Sequence, residues 1–121
     1  MVETYGLTHL ALSVSDPVRS AQFYVDVFGC TVAWDNGEKI ELHTPGRHDV
    51  LAFERATTGV GVAGGITHLG FRLVRPVDID AAVDAIQEAG GSIDERGEFA
   101  PGFPFVFARD LDGYMVEVWF E

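Results

Sequence analysis

The tripeptide Thr8-His9-Leu10 returns as Thr67-His68-Leu69, and the likeness runs on through residues 8 to 14 and 67 to 73. Thr-His-Leu-Ala-Leu-Ser-Val matches Thr-His-Leu-Gly-Phe-Arg-Leu in its apolar alternation as well as in identity. The offset is about half of the 121 residues, so the chain reads as two half-length copies of one unit. Duplication also puts a histidine at the same place in each half, on the same kind of strand.

Within the first copy, residues 7 to 14 alternate as a strand does. Asp16-Pro17 supplies an N-cap and a proline at the first helical position. Ala21, Tyr24, Val25 and Phe28 mark an apolar helix face that Gly29 closes. Strands are predicted over Cys30 to Asp35, Glu38 to Thr44 and His48 to Glu54, joined by Asn36-Gly37 and Pro45-Gly46-Arg47. The second copy repeats the order. It has a strand from Thr67 to Val74 and a helix from about Asp78 to Ala89 that buries Ala82, Val83 and Ile86. Strands follow over Ser92 to Arg96, Pro104 to Arg109 and Tyr114 to Phe120. These two βαβββ modules, about 5 to 55 and 66 to 121, flank a glycine-rich linker over 56 to 65. The fold class is α+β. A four-stranded sheet with one helix layer leaves a face uncovered, so the paired modules are expected to form one domain, a curved eight-stranded sheet around a cavity.

Composition sets the partners. A net charge of −11 with only eight Lys and Arg excludes nucleic acid and anionic membrane surfaces. No apolar run approaches the roughly 20 residues of a membrane span, and no signal segment opens the chain. The lone Cys30 excludes an internal disulfide and a zinc knuckle, which suits a cytoplasmic protein.

Strand parity selects the side chains that face away from the helices. Leu7, His9, Ala11 and Ser13 share one face of the first strand, and His68, Gly70 and Arg72 correspond to them. Met115, Glu117 and Trp119 share a face of the last strand. A carboxylate flanked by Val116, Val118 and Trp119 needs a partner, because an unpaired buried charge is costly. Two imidazoles and one carboxylate are the set that holds Fe(II), Mn(II), Co(II), Ni(II) or Zn(II) with positions left open. His9, His68 and Glu117 are therefore the candidate metal ligands. Core histidines satisfied by the backbone or by a carboxylate are the alternative.

These residues carry a resemblance. Leu-Thr-His-Leu-Ala-Leu-Ser-Val before Asp16-Pro17, Phe23-Tyr24 leading to Phe28-Gly29, the second Thr-His-Leu strand, and Asp110-Leu-Asp-Gly-Tyr-Met-Val-Glu117-Val-Trp together resemble the vicinal oxygen chelate superfamily. That superfamily holds the glyoxalase, bleomycin-resistance, fosfomycin-resistance and extradiol dioxygenase proteins. The resemblance implies a metal held from the first, fifth and eighth strands, which map onto His9, His68 and Glu117. Glyoxalase-like members add a Glu or Gln ligand from the fourth strand. Ala52 stands at that position here, and Glu54 lies two residues later as a possible fourth ligand if the strand is bulged.

Within that resemblance, a three-ligand site points to an Fe(II)-dependent dioxygenase that cleaves a small aromatic chelated through vicinal oxygens. A lyase, isomerase or epimerase of glyoxalase type is the alternative, and a small-molecule binding protein is the third reading. Arg72, Tyr114, Phe107, Trp119, His43 and His48 are the candidates for substrate contact or for support of the ligands. Phe99, Phe103, Phe105 and Phe107 are expected to fill the core for the most part. The linker and the open sheet edges predict a homodimer whose sites are shared between chains.

Overall fold

The computed structural model describes residues 1–121. The chain divides into two compact units, Met1–Val60 and Gly61–Glu121, with the boundary inside the expected linker. Each unit is a βαβββ module with its own four-stranded sheet.

In the first unit, β1 (His9–Val14) leads to α1 (Pro17–Phe28), and then come β2 (Thr31–Asp35), β3 (Lys39–His43) and β4 (Val50–Arg55). The helix starts where Asp16 leaves helical geometry and its carboxylate accepts from the N–H groups of Val18 and Arg19. It ends at Gly29, whose φ of 67° is the left-handed cap that closes many helices. Pro17, Ser20, Ala21, Phe23 and Tyr24 are its buried residues, while Val25 and Phe28 are only half-buried. Asn36 makes the hairpin by accepting from the N–H groups of Glu38 and Lys39.

The sheet order is β1-β4-β3-β2, with β1 and β4 parallel and the other pairs antiparallel. Leu12, Val14, Leu42, Leu51 and Phe53 are buried, and α1 packs against β3 and β4. Tyr24 and Phe53 lie 5.1 Å apart at their ring centroids and anchor that layer. Burying each large side chain of this kind contributes about 1.5–3 kcal/mol.

The second unit has β5 (Leu69–Arg72), a 3₁₀ turn (Pro76–Asp78), α2 (Ile79–Glu88), β6 (Ser92–Ala100), β7 (Phe103–Arg109) and β8 (Met115–Trp119). Its order, β5-β8-β7-β6, repeats that of the first unit, again with the first pair parallel. The eight expected strands are thus hydrogen-bonded four to a sheet. Val83, Ile86, Val106, Ala108, Val116 and Val118 form the core beneath α2.

Two strands differ most from their expected lengths. β5 is shorter than the predicted 67 to 74: it begins after His68, and beyond Arg72 one backbone bond from Leu73 to Trp119 follows before Val74 turns to solvent. β6 is longer than predicted, continuing past Arg96 to Ala100 through two register shifts against β7. Cross-strand pairing with Phe103, Phe105 and Phe107 outweighs the low strand propensity of Gly97. Those phenylalanines are not core residues of the helix-covered layer. Pro104, Val106 and Ala108 are buried there, and the rings alternate onto the opposite face.

Candidate metal centre

The second unit brings together two of the three candidate ligands. β5 and β8 run parallel with Gly70 opposite Glu117, and His68 lies two residues before Gly70. Its Nε2 is 3.0 Å from Oε2 of Glu117. The Glu117 side chain is only 12% exposed, so the carboxylate is largely withdrawn from water and its charge needs that partner. Nδ1 of His68 is 3.0 Å from the hydroxyl of Thr67, which fixes the ring and leaves Nε2 aimed at the carboxylate. Phe107 stands opposite Glu117 on the other neighbouring strand and meets the imidazole edge-on, with centroids 5.2 Å apart.

This donor pair fits a divalent ion. Two donors each about 2.1 Å from an ion and at right angles to one another lie about 3 Å apart. An imidazole nitrogen and a carboxylate oxygen suit the borderline first-row metals. A metal held between Nε2 and Oε2 would take the imidazole as a neutral donor and Glu117 as a carboxylate. Neither unit by itself gathers three His, Cys, Asp or Glu side chains into one such group.

In the first unit the corresponding place is differently furnished. His9 opens β1 and is exposed. The rung two residues on pairs Ala11 with Ala52, where the second unit pairs Gly70 with Glu117. Ala52 is therefore the positional counterpart of the carboxylate. The β1–β4 register runs unbroken from His9–Val50 to Val14–Arg55, so no bulge moves Glu54 into that place. Glu54 pairs with Ser13 two residues further on, is 51% exposed, and lies 3.7 Å from the ammonium of Lys39. Lys39 is closer to Glu41, at 3.0 Å. Its hydrogen bond to Glu41 is the main cause that holds its pKa above the ordinary lysine value.

The remaining candidates separate. Trp119 shares the helix-free face with Glu117, and its ring lies over Gly70. Arg72 shares that face too, but its guanidinium donates to the backbone carbonyl of Glu121 and not to Glu117. Tyr114 is corrected. It is buried in step with Val116 and Val118 on the helix side, and its N–H is taken by Asp110 across the β7–β8 turn. His43 ends β3, exposed and opposite Thr31. His48 precedes β4 instead of starting it, and its ring stacks on Tyr5 at 4.2 Å. Thr67 and Gly70 were placed by the sequence but given no role in the site, although the repeated Thr-His pair and a glycine inside a strand were both visible signals.

A model of the Glyoxalase/Bleomycin resistance protein/Dioxygenase superfamily matches residues 6–118. The chain belongs to that superfamily. Its paired βαβββ modules are the superfamily's, and a glyoxalase-related enzyme from Fulvimarina pelagi shares the fold. That likeness has a TM-score of 0.79 at 21% identity and covers 98% of this chain and 89% of the other. The chain is 28% identical over 90 residues to a 2,2',3-trihydroxybiphenyl dioxygenase of Sphingomonas paucimobilis. That match takes in 71% of this chain and 30% of the dioxygenase, so the chain spans under a third of that relative's length. It is also 28% identical over 124 residues to a probable lactoylglutathione lyase of Vibrio parahaemolyticus, covering 93% of this chain and 88% of the lyase. Superfamily members thus include both dioxygenases and lyases. No helix is long and apolar enough to cross a membrane.

Proposed function

We propose that this superfamily member is a metal-dependent enzyme of the cytoplasm. His68 and Glu117 hold a divalent ion, Fe(II) in preference to Mn(II), Co(II), Ni(II) or Zn(II), and His9 supplies the third protein ligand. The observation that carries the reading is the His68–Glu117 pair at 3.0 Å, with alanine at the matching place in the first unit. The repeat supports His9, which stands in its module where His68 stands in the other. Three ligands leave an ion open to both oxygens of a vicinal diol and to O₂, so the reaction proposed is oxidative cleavage of a small aromatic diol.

When bound, the ion supplies Lewis acidity that draws both substrate oxygens toward the anionic form. The chain's own residues do the rest. Thr67 orients the His68 ring, and Glu117 contributes the negative charge that favours a cation. Phe107, beside the pair, offers an aromatic surface to the substrate ring. The site is proposed to be shared in a homodimer, His9 of one protomer joining His68 and Glu117 of its partner.

Metal analysis of protein purified without chelators, then O₂ consumption with catechol-type substrates after loading with Fe(II), tests the reading. The expected result is one ion per chain and O₂-dependent turnover. A protein without stoichiometric metal would instead be a binding protein. The coverage of the probable lactoylglutathione lyase favours a second reading, a redox-neutral lyase. Robust Ni(II)- or Zn(II)-supported conversion of methylglyoxal and glutathione, with no O₂ uptake, would establish it in place of the oxygenase.

A further inference from the structure

Two glycines lie inside strands, Gly70 in β5 and Gly97 in β6. Neither has the positive φ of the turn glycines, so backbone conformation does not require glycine at either. Each instead lies beneath an aromatic ring. A Cβ on Gly97 would meet Phe105 at 3.2 Å, and a Cβ on Gly70 would stand only 2.6 Å from Cζ3 of Trp119. Real side-chain contacts are not that short, so alanine at position 70 must push the indole away.

The place of that indole matters. Trp119 is opposite Arg72, and Gly70 is opposite Glu117. The ring therefore leans from its own rung onto the rung of the carboxylate, lying across β5 between His68 and Arg72. Phe107 occupies the other side of the same rung. In the first unit the matching rung is Ala11–Ala52 and the next is Ser13–Glu54. Glycine, indole and carboxylate occur together in one module and are absent together from the other.

We propose that Gly70 is a positioning residue for the metal centre. By leaving room for Trp119 to lie flat on the sheet, it makes the indole a wall that holds Glu117 toward His68. The same wall closes the Arg72 side, so a substrate ring approaches along Phe107. The inference rests on the metal-site reading above and adds to it a residue with no donor atom of its own.

A double-mutant cycle on the full-length chain tests it, with Ni(II) or Co(II) affinity measured by calorimetry. Gly70→Ala is expected to weaken binding about tenfold or more, the scale of losses when support of a metal ligand is removed. Trp119→Ala should weaken binding comparably, since the wall is gone. Adding Gly70→Ala to Trp119→Ala should then change nothing further, because the crowding has no ring to act on. Gly97→Ala, the same exchange beneath Phe105, should leave metal affinity at the wild-type value. In a Trp34→Phe background, the emission of Trp119 should shift in Gly70→Ala as the indole is displaced. Wild-type affinity in Gly70→Ala would overturn the proposal, as would equal losses in Gly97→Ala or a full further loss in the double variant. Should Gly70→Ala fail to fold, undiminished affinity in Trp119→Ala alone overturns it. Wild-type protein that binds neither ion would overturn the metal-site reading, and this inference with it.

Discussion

The two modules share strand order, register and a histidine at the head of the first strand, yet their helix-free faces carry opposite chemistry. The second sets an imidazole and a withdrawn carboxylate among Phe107, Phe105 and Trp119. The first sets Lys39 between Glu41 and Glu54 in a water-facing ion network. The difference traces to a few positions. Where the second module has Glu117 beside Phe107, the first has Ala52 beside Glu41. A carboxylate beside a half-buried lysine at the sheet surface already has its partner, and such surface pairs contribute little. A carboxylate withdrawn from water opposite an aromatic residue has more to gain from a strong partner. A repeated fold thus places the side chains, and the neighbours on each rung decide what they can do.

The ligand variants should divide the modules most sharply. His68→Ala and Glu117→Ala are each expected to abolish tight divalent-metal binding, a loss of at least about a hundredfold, since each removes a donor outright. His9→Ala should do the same, whereas Glu54→Ala should stay within about twofold of wild type because its carboxylate already faces Lys39 and water. Calorimetric titration with Co(II) reads all four. Loss of metal in Glu54→Ala would erase the contrast and favour a four-ligand, lyase-like centre.

A smaller effect separates the helices. Asp16 caps α1 through two backbone N–H groups, but Asp78, at the equivalent end of α2, makes no such bond and pairs with Arg75. Asp16→Ala should cost about 1 kcal/mol in urea unfolding, with no measurable change for Asp78→Ala. Equal losses would show that both carboxylates act in the same way.

The mildest test is alkaline. Burial, aided by the negative charge of Asp49, pushes the pKa of the Cys30 thiol up, although Thr44 hydrogen-bonds to it. The folded protein then holds a proton that the unfolded chain gives up. The associated stability is fully present below the unfolded value and lost as pH rises from about 8.5 through the folded value. Unfolding free energies measured from pH 7 to 10 should fall in the wild type and fall less in Cys30→Ala. Parallel curves for the two proteins would rule out the thiol as the cause.

Much of this was legible in the residues because the signals are local. Asp16-Pro17, Gly29 and Asn36-Gly37 act through backbone groups a few positions away, so they fix element ends without reference to the rest of the fold. Parity likewise gave the face shared by His68 and Glu117, since alternation follows from the pleat alone. What escaped depends on register. That Trp119 lies over Gly70 follows only once β5 is aligned on β8, and the length of β6 follows only once it is aligned on β7. Tyr114 entered the candidates for its chemistry, although its parity with Val116 already put it under the helix. Arg72 faced the expected way but was claimed by a backbone carbonyl that no side-chain pattern reveals.

The parallel pairing of β1 with β4, and of β5 with β8, also orders events in time. Antiparallel neighbours such as β6 and β7 are joined by a short turn and can zip as soon as both are made. A parallel partner must wait for its crossover, here a helix and two further strands. In each module the histidine strand is therefore expected to dock last, onto a meander already assembled. His68 would meet Glu117 only when that final strand closes, so recovery of metal binding during refolding would report the last step of the second module and not its first.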